Sequence, residues 1–389
     1  KRHQLEVLFH EKPFSEVNGS GKHVNWGIFS GPECLLVLGE TEETRRRFYF
    51  LVAAVLMGVD NHADVLRASV MTAGNVHRLG GFEAPPAVIS VFLGDGLQEL
   101  IDGLVEGKNE IIRGKMTLDF HLQMLPKITR DQSDRNRTSP FAFIGNRFEF
   151  RAVGSEQNAA WPITVLNTAV AEALNAMCDE VDKYMKNGKT ETESVELVIK
   201  ETLQKHQKVV YNEDCYNVKY REHMEKHGIR EIKTMDEALN ALKKSEEMFS
   251  TTNVLSKEEI EARVTILAEA FVSSVLIDVN QMIDMVESEV LPVVLTFVAK
   301  ETQEAKTLGV TQVSRRVQTM TSWLESLFNT IEELKKEKES VKDSSCLKEA
   351  HRALEQMENV REYVDKFECV MPNSIWPYPS YEEIWNAHC

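Results

Sequence analysis

The sequence is short of positive charge: 45 lysines and arginines stand against 61 aspartates and glutamates, a formal net charge of −16 over 389 residues. A surface of that sign repels phosphate backbones and anionic headgroups, so the reading is no nucleic acid and no membrane as partners. A small anionic substrate is not excluded, because a local arginine cluster reverses the sign where it matters. Cysteine is scarce: Cys34, Cys178, Cys215, Cys346, Cys369 and Cys389 are scattered and form no CxxC pair. That usage reads as free thiols in a reducing compartment, the cytoplasm, with an organelle left open because an address would lie upstream. No uninterrupted apolar run reaches the roughly 18 residues of a membrane span. The longest, Phe48 to Val59, is the length of a buried helix. Methionine is missing from position 1, and Lys1 leads straight into the strand-like run Leu5-Glu6-Val7-Leu8-Phe9. A domain that begins in mid-strand predicts a natural protein that extends further upstream.

What is present is an ordinary globular composition, 42% hydrophobic and 27% charged, on a chain long enough for two or three domains. The first half mixes strands, loops and helices. Thr41 is placed to cap a helix with Glu42 and Glu43 in its first turn, and the apolar spacing continues it through Phe48, Leu51, Val52, Val55 and Leu56. A second helix is expected from about Ala63 to Thr72, then a glycine-rich loop, Gly74 to Pro86. Residues 107–135 read as an insertion or connection, Ser139 to Val153 as strand, and Pro162 opens another helix. Beyond about Met185 helical periodicity dominates. Stripes through Met320, Trp323, Leu327, Ile331 and Leu334, and through Leu347, Ala350, Leu354, Met357, Val364 and Phe367, predict an antiparallel hairpin at about 315–369. The domain reading is therefore 1–188, sheet-bearing, and 189–389, helical.

Three motifs carry chemistry. In Asn18-Gly19-Ser20-Gly21-Lys22-His23-Val24-Asn25-Trp26 a glycine-rich turn feeds a strand. Alternation puts His23, Asn25 and Gly27 on one face and Val24, Trp26 and Ile28 on the other. A lone strand histidine serves equally as a structural hydrogen bonder, so this segment does not decide alone. In Arg147-Phe148-Glu149-Phe150-Arg151 the charged residues share one face and the phenylalanines the other. Such a face is either a salt-bridge ladder or a site in which a carboxylate takes a metal and arginines hold anionic oxygens. In Gly80-Gly81-Phe82-Glu83-Ala84-Pro85-Pro86 a loop is free on one side and stiff on the other. Glu83 there is a surface charge or a residue that closes over a substrate.

Together these motifs resemble the glutamine synthetase family. The Asn-Gly-Ser-Gly-x-His signature matches Asn18 to His23, the flap signature matches Arg78, Gly81 and Glu83 to Pro85, the phosphate-site Asn-Arg matches Asn136-Arg137, and the Arg-x-Glu-x-Arg strand matches Arg147, Glu149 and Arg151. Segments such as His10-Glu11-Lys12-Pro13-Phe14, Arg137-Thr138-Ser139-Pro140-Phe141 and Phe150-Arg151-Ala152-Val153-Gly154-Ser155 are similar to the type III branch, and the resemblance covers essentially the whole chain. It departs at Pro140-Phe141-Ala142, where a further arginine is usual, and at Gly27, where a serine is usual.

The resemblance implies an α+β fold, a glutamine-synthetase-like catalytic domain with an antiparallel sheet followed by a helical C-terminal region. It implies ATP-dependent ligation of ammonia to L-glutamate through γ-glutamyl phosphate, with Mg²⁺ or Mn²⁺ and with ATP as co-substrate. His23 and Glu149 would ligate the metal. Arg137 and Arg147, with Asn25, would hold ATP phosphates, and Arg137 would also act in catalysis and at glutamate. Asn18, Gly19, Arg78 and Arg151 would bind glutamate, and Glu83 would receive a proton from ammonium. Homo-oligomeric rings with shared sites follow from the same resemblance. Residues 1–389 alone, holding two metal ligands, are expected to be inactive. A γ-glutamyl ligase for another amine, or a non-catalytic assembly protein, remains the alternative.

Overall fold

The computed structural model describes residues 21–76, 78, 88–108, 138–380 and 383. The chain divides into two compact units, one of residues 10–264 and one that includes residues 265–389. The compositional change at 188 falls inside the first.

In the first unit a four-stranded sheet has the order β1-β6-β5-β4, formed by β1 (Gly21–Trp26), β4 (Val91–Phe92), β5 (Phe141–Phe143) and β6 (Phe148–Gly154). β2 (Phe29–Ser30) and β3 (Glu33–Cys34) make a separate small hairpin. β6 pairs antiparallel with both β1 and β5, whereas β4 joins β5 in parallel. The antiparallel sheet expected from the sequence is present, with one parallel pair at its edge.

One face of the sheet is aromatic. Phe141 stacks on Phe148 with ring centroids 4.8 Å apart, Trp26 meets both at 6.2 Å, and Phe143 reaches Phe48 of α1 (Glu42–Ser69) at 5.9 Å. Each such buried ring contributes about 1.5–3 kcal/mol through apolar burial, which fixes the face that points inward. The indole N–H of Trp26 donates to Asn167 Oδ1 at 2.8 Å and ties β1 to α4 (Ala160–Lys186).

Thr41 caps α1, its hydroxyl accepting from the Thr44 backbone N–H while Thr44 returns the bond. The two helices expected over 42–72 are one element kinked at His62, whose φ of −129° and ψ of 24° are not helical. Two histidine–carboxylate contacts lie at the kink. Asp60 Oδ2 lies 2.6 Å from His206 Nδ1, and His62 meets Glu172. α1 is long and apolar enough to cross a membrane, although charged and polar residues interrupt its apolar run, and 67% of its apolar window is buried. It packs against α4, α5 (Glu191–His206) and α7 (Met235–Lys244) as a core helix. α2 (Ala73–Val76), α3 (Asp95–Val105), α6 (Val218–Lys226), α8 (Glu246–Thr251), a 3₁₀ turn at Gln207–Val209 and the first residues of the helix from Lys257 are also described in this unit.

The described part of the second unit is helical. It enters within α9 (Lys257–Met285), passes a π turn at Val286–Val290 and continues as α10 (Leu291–Leu308), which Gly309 ends at φ 65°. α11 (Thr311–Ser340) and α12 (Leu347–Glu368) form an antiparallel pair, with Trp323 against Phe367, and Glu337 3.1 Å from Arg352. On α12 the fully buried line is Leu347, Ala350, Ala353, Val360 and Phe367, while Leu354, Met357 and Val364 flank it half-buried. The expected stripe therefore holds at Leu347, Ala350 and Phe367, while Ala353 and Val360 are the buried positions between them in place of Leu354, Met357 and Val364.

Candidate active site

The polar face of β1 and β6 lies opposite the aromatic one. Asn25 stands across from Glu149 and Trp26 from Phe148. Between Lys22, paired with Val153, and Val24, paired with Phe150, β1 spans two residues where β6 spans three. An extra residue of this kind re-aims side chains and is common beside functional sites. Here it brings His23 Nδ1 to 3.0 Å from Glu149 Oε1.

The other carboxylate oxygen of Glu149 is held by Arg151, whose Nε and NH2 donate to Oε2 at 2.9 and 2.6 Å. Burial pushes the Glu149 carboxyl up, but hydrogen bonding and charge from Arg151, together with His23, outweigh it and leave it below the usual carboxylate range. The group is therefore an anion with one oxygen occupied by a guanidinium and the other turned to an imidazole. Exposure of the side chains is graded along the row, 54% for His23, 19% for Glu149 and 6% for Arg151, so the imidazole is the open end.

Arg147 lies at the other end of the row. Its Nε donates to Asn25 Oδ1 at 3.0 Å and its NH1 to Asn146 Oδ1 at 2.8 Å. Arg78 is buried behind the row, donating to Asn75 Oδ1 at 2.9 Å and towards the Arg151 carbonyl at 3.5 Å. Its guanidinium lies flat against Gly21: a Cβ there would come within 2.3 Å of NH2. Gly21 is thus required for close approach.

The structure therefore brings His23, Asn25, Arg147, Glu149 and Arg151 together on one face and sets Arg78 beside them. Asn18, Gly19, Glu83 and Arg137 lie outside the described residues. The sequence reading missed Asn75, fully buried, whose amide N–H groups donate to Val70 and Ala152 carbonyls at 2.9 and 3.0 Å and whose oxygen orients Arg78. Its signal was an asparagine in the short polar stretch between a helix and the Arg78 loop, a pattern shared by many ordinary turns.

An imidazole nitrogen beside a carboxylate oxygen is a donor set that suits Mn²⁺ or Mg²⁺. Two protein ligands do not complete such an ion, and among the described residues no group of three histidines, cysteines or carboxylates converges to hold one. The pair fits as part of a metal site.

Residues 194–308 match the family model of the glutamine synthetase C-terminal domain. The chain is 36% identical over 402 residues to a type-3 glutamine synthetase of Dictyostelium discoideum, covering 98% of this chain and 55% of that protein. It is 31% identical over 410 residues to a glutamine synthetase of Bacteroides fragilis and 31% identical over 400 residues to one of Butyrivibrio fibrisolvens, covering 99% and 98% of this chain and 56% of each relative. The chain spans about half the length of these relatives.

Proposed function

From the premise that the chain belongs with the type-3 glutamine synthetases, over nearly its whole length, we propose that it carries part of the site of an ATP-dependent ligase joining ammonia to L-glutamate. The observation that carries this reading is the convergence of His23, Glu149 and Arg151, with Arg147 and Asn25, on one sheet face. A salt-bridge ladder alone accounts for Arg151 and Glu149. The exposed histidine at the remaining oxygen of the same carboxylate adds the second donor that a metal site would use.

The reaction has two steps. The γ-carboxylate of glutamate attacks the γ-phosphate of ATP, giving γ-glutamyl phosphate and ADP. Ammonia then attacks the activated carbonyl and phosphate leaves. The first step sets an anion against a polyanion, so charge stabilisation decides its rate. His23 and Glu149, with ligands from elsewhere, would hold a divalent ion, Mg²⁺ or Mn²⁺, which would supply charge stabilisation for the transfer. Arg151, locked to Glu149, keeps the carboxylate ionised and aimed. Arg147 and Arg137 hold phosphate oxygens, with Asn25 orienting Arg147 as it does here. Asn18, Gly19, Arg78 and Arg151 hold glutamate, and Arg137 also meets its reacting carboxylate.

The second step needs unprotonated ammonia, since ammonium has no lone pair, and needs water kept out. Glu83 attracts ammonium, takes its proton and covers the acyl phosphate. Assembly into homo-oligomeric rings, with sites shared between neighbours, belongs to the same reading. Glutamine formation from glutamate, ammonia and ATP by the full-length protein tests it, with larger amines as competitors. Turnover with another amine and none with ammonia would replace the reading.

A further inference from the structure

The loop that leads into α6 has no part in the chemistry above, yet it reaches the back of the site. Tyr220, fully buried, places its hydroxyl 3.0 Å from the Val88 carbonyl and 2.9 Å from Ser90 Oγ. The backbone N–H of Cys215 donates to Thr138 Oγ1 at 2.9 Å. The Cys215 thiol is buried and pushed up to about 12 by that burial, against the opposing pull of the Thr138 and Ser90 hydroxyls and of Arg151, and its Sγ donates to the Glu213 carbonyl at 3.8 Å. Ser90 is fully buried as well. Tyr220 thus bonds to Val88 and Ser90, and Cys215 to Thr138, within one buried polar region. Two residues beyond Thr138, the Pro140 carbonyl accepts the Arg151 backbone N–H at 2.9 Å.

The same stretch holds the end of β4. The Tyr211 N–H donates to the Val91 carbonyl at 2.9 Å, and Asn212 Oδ1 accepts from the Leu93 and Gly94 N–H groups at 3.0 and 3.1 Å. Residues 211–220 therefore grip the segment 88–94 and, through Cys215, Thr138 at the head of the segment 138–140. The second segment is covalently joined to Arg137 and hydrogen-bonded to Arg151. A buried polar network costs free energy wherever a member is left unsatisfied, so its geometry is narrow and specifying.

We propose that Tyr220 and Cys215 are positioning residues for the ligase reaction, fixing Thr138, and through Pro140 the Arg151–Glu149 strand, from the helical side of the fold. This rests on the function proposed above. Two variants of the full-length protein separate placement from mere stability. Thr138→Val keeps the shape but removes the oxygen that accepts from Cys215; Thr138→Ser restores it. Small misplacements of reacting groups cost about 10- to 100-fold in rate. Thr138→Val is expected to lose kcat on that scale with KM for ATP changed by less than about threefold, and Thr138→Ser to recover most of it. Tyr220→Phe, which deletes only the hydroxyl, is expected to speed amide hydrogen exchange at residues 88–90 and 138–139 by at least about fivefold, a readout independent of activity. Wild-type kcat in Thr138→Val, equal loss in Thr138→Ser, or unchanged exchange in Tyr220→Phe would each overturn the proposal. A wild-type protein that makes no glutamine but shows the faster exchange in Tyr220→Phe would overturn the ligase reading instead, and with it the catalytic half of this one.

Discussion

His23 and Glu149, 126 residues apart in sequence, meet across neighbouring strands with Nδ1 3.0 Å from Oε1. The Glu149 carboxyl is held below the usual carboxylate range. A group depressed in this way contributes stability that is present above its unfolded value, about 4.3, and lost as pH falls through the lower folded value. Glu149→Gln is therefore expected to flatten the acid limb of stability below about pH 4. Urea midpoints measured at several acid pH values check it, and a limb of unchanged slope would mean that Arg151 and His23 do not favour the anion.

Gly21→Ala tests the placement of Arg78. The added methyl meets the far end of a flexible side chain, not backbone, so the fold survives and the guanidinium moves. The expected result is a thermal midpoint near wild type and a KM for glutamate raised by roughly 10-fold or more, the scale of a lost charged hydrogen bond. A normal KM for glutamate would remove Arg78 from the substrate site.

Glu83→Ala addresses the second step. ATP binding is expected to persist while amide formation slows by about 100-fold or more, with ADP released in excess of glutamine as water reaches the acyl phosphate. Parallel measurement of ADP and glutamine decides it; unchanged, fully coupled turnover would dismiss Glu83 as the proton acceptor.

Gly58→Ala probes the core behind the sheet. A Cβ at Gly58 would lie 2.9 Å from the Ala169 carbonyl oxygen, where α1 and α4 cross. Alanine gains about 1 kcal/mol in helix propensity, but forcing backbone apart costs about 1–3 kcal/mol. The overpacking term wins, so a lower thermal midpoint is expected. A stabilised variant would show that the crossing has slack.

Period-two alternation placed Arg147, Glu149 and Arg151 on one strand face, and Thr41 with two glutamates marked a helix start, because these signals are local. The link between Glu149 and His23 was legible only through motif resemblance, since no local rule reports which strands pair or where a register slips. The break at His62 was legible as two successive helices, but the contacts around it, His62 with Glu172 and Asp60 with His206, were not, because their partners lie far along the chain. Tyr220 and Cys215 were invisible for a similar reason. Their partners at Val88, Ser90 and Thr138 lie 77 to 132 residues away, and a buried tyrosine on a short helix looks like any core residue.

The central claim, that the His23–Glu149 face serves ATP-driven ligation, meets its most direct test in one assay. The full-length protein and its Glu149→Gln variant are incubated with glutamate, ammonia, ATP and Mn²⁺, and glutamine, ADP and phosphate are quantified together. The account predicts equal amounts of all three products from the wild type. It predicts a loss of at least about 1,000-fold in the variant, the scale of several kcal/mol of charge stabilisation removed from the phosphoryl-transfer step. Wild-type glutamine output in Glu149→Gln, or no glutamine from the wild type, would contradict it.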